Sequence, residues 1–214
     1  MMSEIRELIL RRRTSKPANF SDRIPDPALV RELIEIARHA PNHHRTEPAR
    51  FYLLDHERIE KVGQLFGEIV AGDGSDSSLV ERGKKKAREW GASPGLRIVT
   101  CHTDLDSELA RNKPTVIEEN YATCSCICQN LLLLFESEGI SAKWSTGPVF
   151  EHPEFTEAIG MQSSECEQVV ALLFYGFSET VVPARSLAPL ENHLRDFVGQ
   201  SRPAFPKDNG AKPE

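Results

Sequence analysis

This chain lacks a long apolar run: the longest, residues 131–135, is far shorter than the roughly 20 residues that a membrane-spanning helix needs. Its first residues also lack a basic segment followed by an apolar one, the pattern typical of a secretory signal. The five cysteines are an odd number, and three of them lie within residues 124–128, so no disulfide framework is indicated. We therefore expect a cytoplasmic protein that neither crosses a membrane nor depends on disulfides.

An excess of positive charge is also missing, because 26 Lys and Arg face 32 Asp and Glu, which gives a formal net charge of −6. A general attraction to polyanions such as nucleic acid is thereby disfavoured. The length of 214 residues suits one core that buries roughly 70% of the unfolded surface. We predict a single domain over residues 1–198, with a mobile excursion at about 71–92 as a candidate lid, and a flexible tail over 199–214.

Hydrophobic periodicity predicts an α/β chain with few strands and long helices. The central helix carries apolar or small residues all round, so it needs cover on every side. A domain of this size with so few strands cannot supply that cover alone, and we predict an extensive helical homodimer interface. The main predicted helices are 3–13, 27–40, 58–70 and 116–138, and the predicted strands are 50–54, 96–101, 142–145 and 169–174.

Residues 11–16, Arg-Arg-Arg-Thr-Ser-Lys, concentrate cations and hydroxyls at the end of the first predicted helix. Arginine grips phosphate oxygens in pairs, and hydroxyls complete such a cage, so this segment indicates a site for one small, doubly charged anion. A simple complement to the negative end of the helix dipole is the alternative. A nucleic-acid surface that includes the lysines at 84–86 is a further alternative, against which the acidic balance and the missing interleaved aromatics argue.

Two further segments present polar groups where a helix or a strand ends. His39 and His43 have the spacing of a metal pair, but Pro41 breaks the helix that this spacing requires, so we predict no metal there. With Asn42, this loop suits the hydrogen-bonding edge of a flat heterocycle, and an ordinary solvated connection is the alternative. Residues 144–147, Trp-Ser-Thr-Gly, indicate either a ligand contact, where glycine lets the backbone come close, or a turn with a buried Trp.

These pieces, in this order, resemble the nitroreductase family of flavin-dependent oxidoreductases. The basic pair with a hydroxyl residue is Arg12-Arg13-Thr14, and the Ala-Pro-Asn-His motif is at 40–43. Gln-Asn-Leu-Leu at 129–132 and Trp-x-x-Gly at 144–147 continue the pattern, which resembles a small subgroup of the family. Each motif is weak singly, whereas their joint order is fairly specific and covers about residues 4–197.

The resemblance implies a three-layer α/β/α sandwich of the α+β class, with a small, mostly antiparallel central sheet flanked by long helices in an intertwined homodimer. It implies FMN as cofactor, NAD(P)H as a partner, and no catalytic side chain, since the flavin carries the redox chemistry. The positions that it assigns to FMN are Arg12, Arg13, Thr14, Lys16, His39, Pro41, Asn42, His43, Trp144, Ser145, Thr146, Gly147 and Arg185.

The expected activity is ping-pong hydride transfer from NAD(P)H through flavin N5 to an electron-poor acceptor such as a nitroaromatic or a quinone. Reduction of small aldehydes or enones on the same flavin remains an alternative, as does a flavin carrier or sensor without turnover. Two positions depart from the family pattern. Glu47 is acidic where Asn or Gln is frequent, and Ala49 replaces an aromatic residue. We therefore do not infer the electron-accepting substrate of this protein from that of its relatives. An acid near the ring would disfavour anionic substrates.

Overall fold

The structure, a computed structural model, describes residues 4–162 and 166–195. It divides into two compact units, Met1–Pro183 and Ala184–Glu214. The predicted tail over 199–214 lies outside the described residues. Within the first unit the helices are α1 (Glu4–Arg11), α2 (Pro27–Ala37), α3 (His56–Ala71), α4 (Ser77–Gly91), α5 (Glu108–Asn112), α6 (Val116–Ser137) and α7 (Phe155–Ile159), and the strands are β1 (Ala49–Leu53), β2 (Gly95–His102), β3 (Ser141–Ser145) and β4 (Glu167–Gly176). The second unit contains a short 3-10 turn at Leu190–Asn192.

Side-chain caps explain where several helices begin. The carboxylate of Asp26 accepts a hydrogen bond from the backbone N–H of Ala28 at 2.9 Å, and Pro27 occupies the first position of α2. Asp55 caps α3 and Asp76 caps α4 in the same way. Helix α2 ends at Ala37, three residues before the predicted end. Within the first unit, none of the described helices has the length and hydropathy that a membrane crossing requires.

The four strands form one sheet in the order β1-β2-β4-β3, and each neighbouring pair is antiparallel. Its two faces bury separate core clusters. One cluster packs α2 and α6 against the sheet, and the other packs α3 and α7 against the opposite face. The prediction of a small antiparallel sheet between helical layers is therefore confirmed.

Much of the predicted excursion at 71–92 is the regular helix α4, which packs closely against α3. A Cβ added at Gly63 would lie 2.6 Å from the backbone nitrogen of Gly91, and one added at Gly67 would lie 2.8 Å from the carbonyl oxygen of Gly83. Such distances leave no room for side chains, so the glycines allow the two helices to touch through their backbones. Movement of this segment as a lid stays a prediction.

A hydrogen-bonded cluster links the edge strand β1 to the two inner strands, β2 and β4. The hydroxyl of Tyr52 donates to both carboxylate oxygens of Glu167, at 2.9 and 3.0 Å, and the hydroxyl of Thr100 donates to the same carboxylate. Burial first, and then the bonded carboxylate, raise the pKa of Tyr52 from 10.0 to about 12. The folded protein therefore keeps a proton that the unfolded chain releases at lower pH.

We expect Tyr52→Phe to lower the free energy of unfolding by about 1 kcal/mol near neutral pH, because a charge-assisted hydrogen bond is lost. In the parent, the contribution of Tyr52 is present below pH 10.0 and is lost as the pH rises towards about 12, since the folded-state pKa is the higher one. Urea unfolding near neutral pH and at about pH 11 measures both effects. The difference between parent and variant should shrink at the higher pH, and a constant difference would contradict the assignment.

Candidate functional site

The cationic segment after α1 contains two arginines, Arg12 and Arg13, that form no ion pair with a carboxylate of the described residues. Arg11 forms an ion pair with Glu136 of α6 at 2.8 Å. No ion pair or side-chain hydrogen bond of Arg12 is present in ranges 4–162 and 166–195. Arg13 donates through Nη1 to the carbonyls of Leu10 and Arg12, while its Nε is buried without a partner there. A buried donor without an acceptor is costly, and a bound anion would satisfy it.

Backbone pairing places this segment beside the edge strand β3. Thr14 forms a single parallel bridge with Ala142, and the N–H of Ser15 donates to the carbonyl of Ala142 at 3.1 Å. Lys16 follows and is exposed. The segment therefore lies along the strand that carries Trp144, which brings two of the predicted groups to one edge of the sheet. The buried Ser15, which anchors this pairing, was not among the predicted site residues.

The end of β3 presents a mixed surface. Trp144 is half-buried, Ser145 is buried and Thr146 is exposed. A Cβ added at Gly147 would meet no atom within 4 Å, so the backbone there borders open space. This opening agrees with the expectation that Gly147 lets a ligand approach the main chain.

The loop after α2 is held in an unusual backbone conformation. His44, Arg45 and Glu47 have φ values of 62°, 53° and 46°, in the left-handed region that non-glycine residues rarely adopt. Each costs of order 1 kcal/mol and persists because other contacts hold it. The side chain of Asn42 supplies one such contact, accepting from the N–H of Thr46 at 3.0 Å.

Helix α6 supplies the remaining anchors of this loop, which no local pattern in the sequence predicted. The hydroxyl of Thr123 donates to the carbonyl of Pro41 at 3.1 Å, and the hydroxyl of Thr46 donates to Asn120 at 2.5 Å. These bonds reach across about 75 to 80 positions of the chain. They fix the loop from outside, which explains how its strained residues are maintained.

Two adjacent histidines of the loop face a carboxylate of α6. The rings of His43 and His44 are stacked with centroids 4.0 Å apart. The Nδ1 of His43 lies 3.2 Å from Oε2 of Glu119, and the Nε2 of His44 lies 3.8 Å from the same oxygen. The three donor atoms are within 4.8 Å of one another, an arrangement with the donor types that zinc accepts. The expected absence of a metal stays a prediction.

A groove of about 590 Å³ opens beside the same loop. His39 and Asn42 line it, together with the salt bridge between Arg38 and Glu47, whose atoms are 3.2 Å apart. The negative charge of Glu47, which stands where the family frequently has Asn or Gln, is thus partly offset by the guanidinium of Arg38. The groove is large enough for part of a small organic ligand.

The two groups of predicted residues lie at opposite ends of α6 within one copy of the chain. Arg11 pairs with Glu136 near the end of this helix, whereas His43 faces Glu119 near its beginning. At 1.5 Å per residue, these two positions on α6 are separated by about 25 Å. A single copy of the chain therefore does not bring the cationic segment and the histidine loop together. Arg185 belongs to the second unit, where it is exposed.

Comparisons with known proteins agree on one family. The profile of the Nitroreductase family matches residues 9–177. YfhC of Bacillus subtilis strain 168, provisionally named an NAD(P)H nitroreductase, is 26% identical over 199 residues, which cover 91% of this chain and 95% of YfhC.

Solved structures show the same fold. A nitroreductase-like family protein from Bacillus cereus has a TM-score of 0.72 at 22% identity, covering 93% of this chain and 98% of that one. A nitroreductase with bound FMN from Bacteroides fragilis has a TM-score of 0.67 at 18% identity, covering 87% and 96%.

Proposed function

The chain belongs to the nitroreductase family, and from this premise we propose that it is an FMN-dependent oxidoreductase that passes hydride from NAD(P)H to an electron-poor acceptor. The name of YfhC and the FMN of the Bacteroides fragilis structure support the two cofactors. Bound FMN would supply the redox chemistry, by taking up and releasing hydride at N5. The observation that carries the proposal is the pair Arg12 and Arg13 beside strand β3, since neither guanidinium has a carboxylate partner among the described residues and the Nε of Arg13 has no acceptor there.

These arginines fit the phosphate of FMN. The buried Nε of Arg13 is a donor without an acceptor in the described part of the chain, and Arg12, the preceding residue, carries a second guanidinium. Thr14 supplies a hydroxyl on an exposed residue, and Lys16 is a further exposed cation. Each charge-assisted hydrogen bond contributes about 1.5–3 kcal/mol, so a few suffice to retain the cofactor without a covalent link. We include Arg185 in this set on the resemblance alone.

We further propose that each flavin is enclosed by two protomers. Trp144, Ser145, Thr146 and Gly147 would face the ring from the protomer that holds the phosphate, and the loop with His39, Pro41, Asn42 and His43 would come from the partner. The separation of about 25 Å along α6 supports this division, because one protomer keeps the two groups apart.

Exposed apolar side chains support a homodimer as well. Helix α1 contains no buried residue, and its Ile5, Ile9 and Leu10 are 51%, 56% and 61% exposed. On α6, Ile117 is 41% exposed and Cys126 is also exposed. Such surfaces gain free energy when a second copy covers them.

We propose a ping-pong order, in which NAD(P)H gives up its hydride and leaves as NAD(P)⁺ before the acceptor enters the same cleft. The acceptor class proposed is nitroaromatics and quinones. Three arginines and two glutamates line the groove beside the loop, Arg38 and Glu47 among them as an ion pair, and this nearly balanced set of charges accommodates neutral, electron-poor molecules.

The visible absorption spectrum of the freshly purified protein tests the proposal. We expect a yellow protein whose flavin absorbance is bleached by NADPH or NADH without oxygen and restored by a nitroaromatic or a quinone. Yellow that persists after reductant would indicate a flavin carrier or sensor instead. A colourless protein that takes up no added FMN, or a monomer in solution scattering, would contradict the proposed site.

A further inference from the structure

Strand β2 contains a buried arginine whose charge has no counter-ion in the described part of the chain. Arg97 is 4% exposed, although it is one of the most strongly hydrated kinds of side chain. Within residues 4–162 and 166–195, no carboxylate oxygen lies within 4.0 Å of its guanidinium. Its Nη1 donates to the carbonyl of Leu96 at 3.2 Å, and its Nε is buried with no partner among these same residues. A buried charge in this state is strongly unfavourable unless something neutralises it.

The neighbours of Arg97 do not supply that negative charge. The guanidinium lies 5.0 Å from the ring centre of Tyr175, a cation–π contact that offsets part of the desolvation. Burial raises the pKa of Tyr175, so its phenol is neutral at physiological pH. Desolvation, and also the positive charge of Arg31, lower the pKa of Arg97. Within the described residues, Arg97 therefore has an aromatic ring and a second cation as neighbours, and no carboxylate paired with it directly.

Arg97 lines a cavity of about 500 Å³ at the start of α2, and we propose that this cavity binds a small carboxylate with an apolar body. The planar fork of a guanidinium matches a carboxylate, and the Nε of Arg97 has no acceptor among the described residues. The rest of the wall is largely apolar, formed by Ile24, Pro25, Pro27, Leu53, Leu54 and Ile59.

The other charges of the wall disfavour ligands of higher negative charge. Arg31 adds one cation, whereas Asp22 and Asp55 add two carboxylates, which would repel a phosphate dianion more strongly than a monoanion. Asp55 is already engaged as the cap of α3, where it accepts from the N–H of Arg58 at 2.9 Å. One buried guanidinium facing a mostly apolar space therefore fits a monoanion.

This site is separate from the residues that we propose for FMN. None of the side chains that line the cavity is among Arg12 to Lys16, the loop of His39 to His43, or residues 144–147. A carboxylate bound to Arg97 would thus be a second ligand, and its binding does not depend on the flavin chemistry.

Calorimetric titration of the full-length, FMN-loaded protein with cyclohexanecarboxylate tests the proposal. This probe has a carboxylate and an apolar ring that cannot stack on a flavin, and cyclohexanecarboxamide is its neutral counterpart of the same shape. We expect saturable binding of the acid, at least about tenfold weaker binding of the amide, and weaker binding of inorganic phosphate. The visible spectrum of the flavin should not change.

Three variants localise the binding. Arg97→Met should weaken binding of the acid by at least about tenfold, and the exposed Arg31→Gln by a few fold. Arg88→Gln is the matched control, because Arg88 is an exposed arginine on α4 that does not line the cavity. Without ligand, Arg97→Met should be at least as stable as the parent, since it removes an unpaired buried charge.

Several results would overturn the proposal: no binding of the acid, equal binding of acid and amide, or undiminished binding by Arg97→Met. A change of the flavin spectrum that survives Arg97→Met would place the acid in the flavin cleft and equally exclude this site. If Arg97→Met does not fold, the two other measurements decide. A carboxylate site predicts that the parent binds the amide more weakly than the acid, and that Arg31→Gln binds the acid more weakly than the parent does. Failure of either expectation would overturn the proposal.

Discussion

Replacing Arg12 and Arg13 together by glutamine is expected to give a folded protein that is purified without FMN. Each arginine would provide charge-assisted hydrogen bonds of about 1.5–3 kcal/mol to the phosphate, which corresponds to about 10- to 100-fold in affinity. The two together should weaken FMN binding by about 10²- to 10⁴-fold, if their contributions are independent. Quenching of flavin fluorescence on titration with the apoprotein measures this loss directly.

Two comparisons separate loss of the phosphate site from general damage. Arg6→Gln changes an exposed arginine on the preceding helix α1 and should retain FMN like the parent. Arg12→Gln alone avoids the backbone carbonyls that Arg13 holds, so it tests the charge without disturbing the end of α1. A double variant that stays yellow, with parent-like affinity, would show that the phosphate is bound elsewhere.

Much of the fold follows from local patterns in the sequence. Asp26-Pro27 marks the start of α2, and the apolar run over 169–174 marks a strand inside the sheet, where the structure places β4 between two neighbours. Both signals act over a few residues, which is the range that periodicity and capping describe. The end of α2 was predicted three residues late. The chain leaves the helix before Pro41 because the following loop is held by α6, and that is a contact between distant segments.

The candidate site, like the fold, has parts that local motifs predict and parts that arise only from contacts between distant segments. The order of the short motifs predicted the cationic segment and the strand of Trp144, and the structure brings these two together through the bridge between Thr14 and Ala142. Glu119 gave no signal, because its meaning arises only when α6 lies against the histidine loop. No local pattern in the sequence signalled the burial of Arg97 either. A single arginine within an apolar strand is expected to face solvent, and only the packing of the layers shows that this one is covered.

Gly83→Ala is expected to destabilise the protein by about 2–3 kcal/mol, even though alanine is the better helix former. The added Cβ would overlap the carbonyl oxygen of Gly67 and would lie 2.9 Å from the Cβ of Ala71. Backbone atoms cannot turn aside as a flexible side chain can, so α3 and α4 would have to separate. Thermal unfolding should show a fall in Tm of about 2–4 °C for each kcal/mol lost.

The control for this prediction is Arg82→Ala, an exposed neighbour on α4 that gains helix propensity without a clash and should leave Tm nearly unchanged. The comparison also bears on the predicted lid. If α4 moves away from α3 readily, the clash is relieved at little cost and Gly83→Ala should be neutral or stabilising. A fall in Tm confined to Gly83→Ala would instead mean that α4 belongs to the cooperative fold, so that any lid movement must occur in the turn before Ser77.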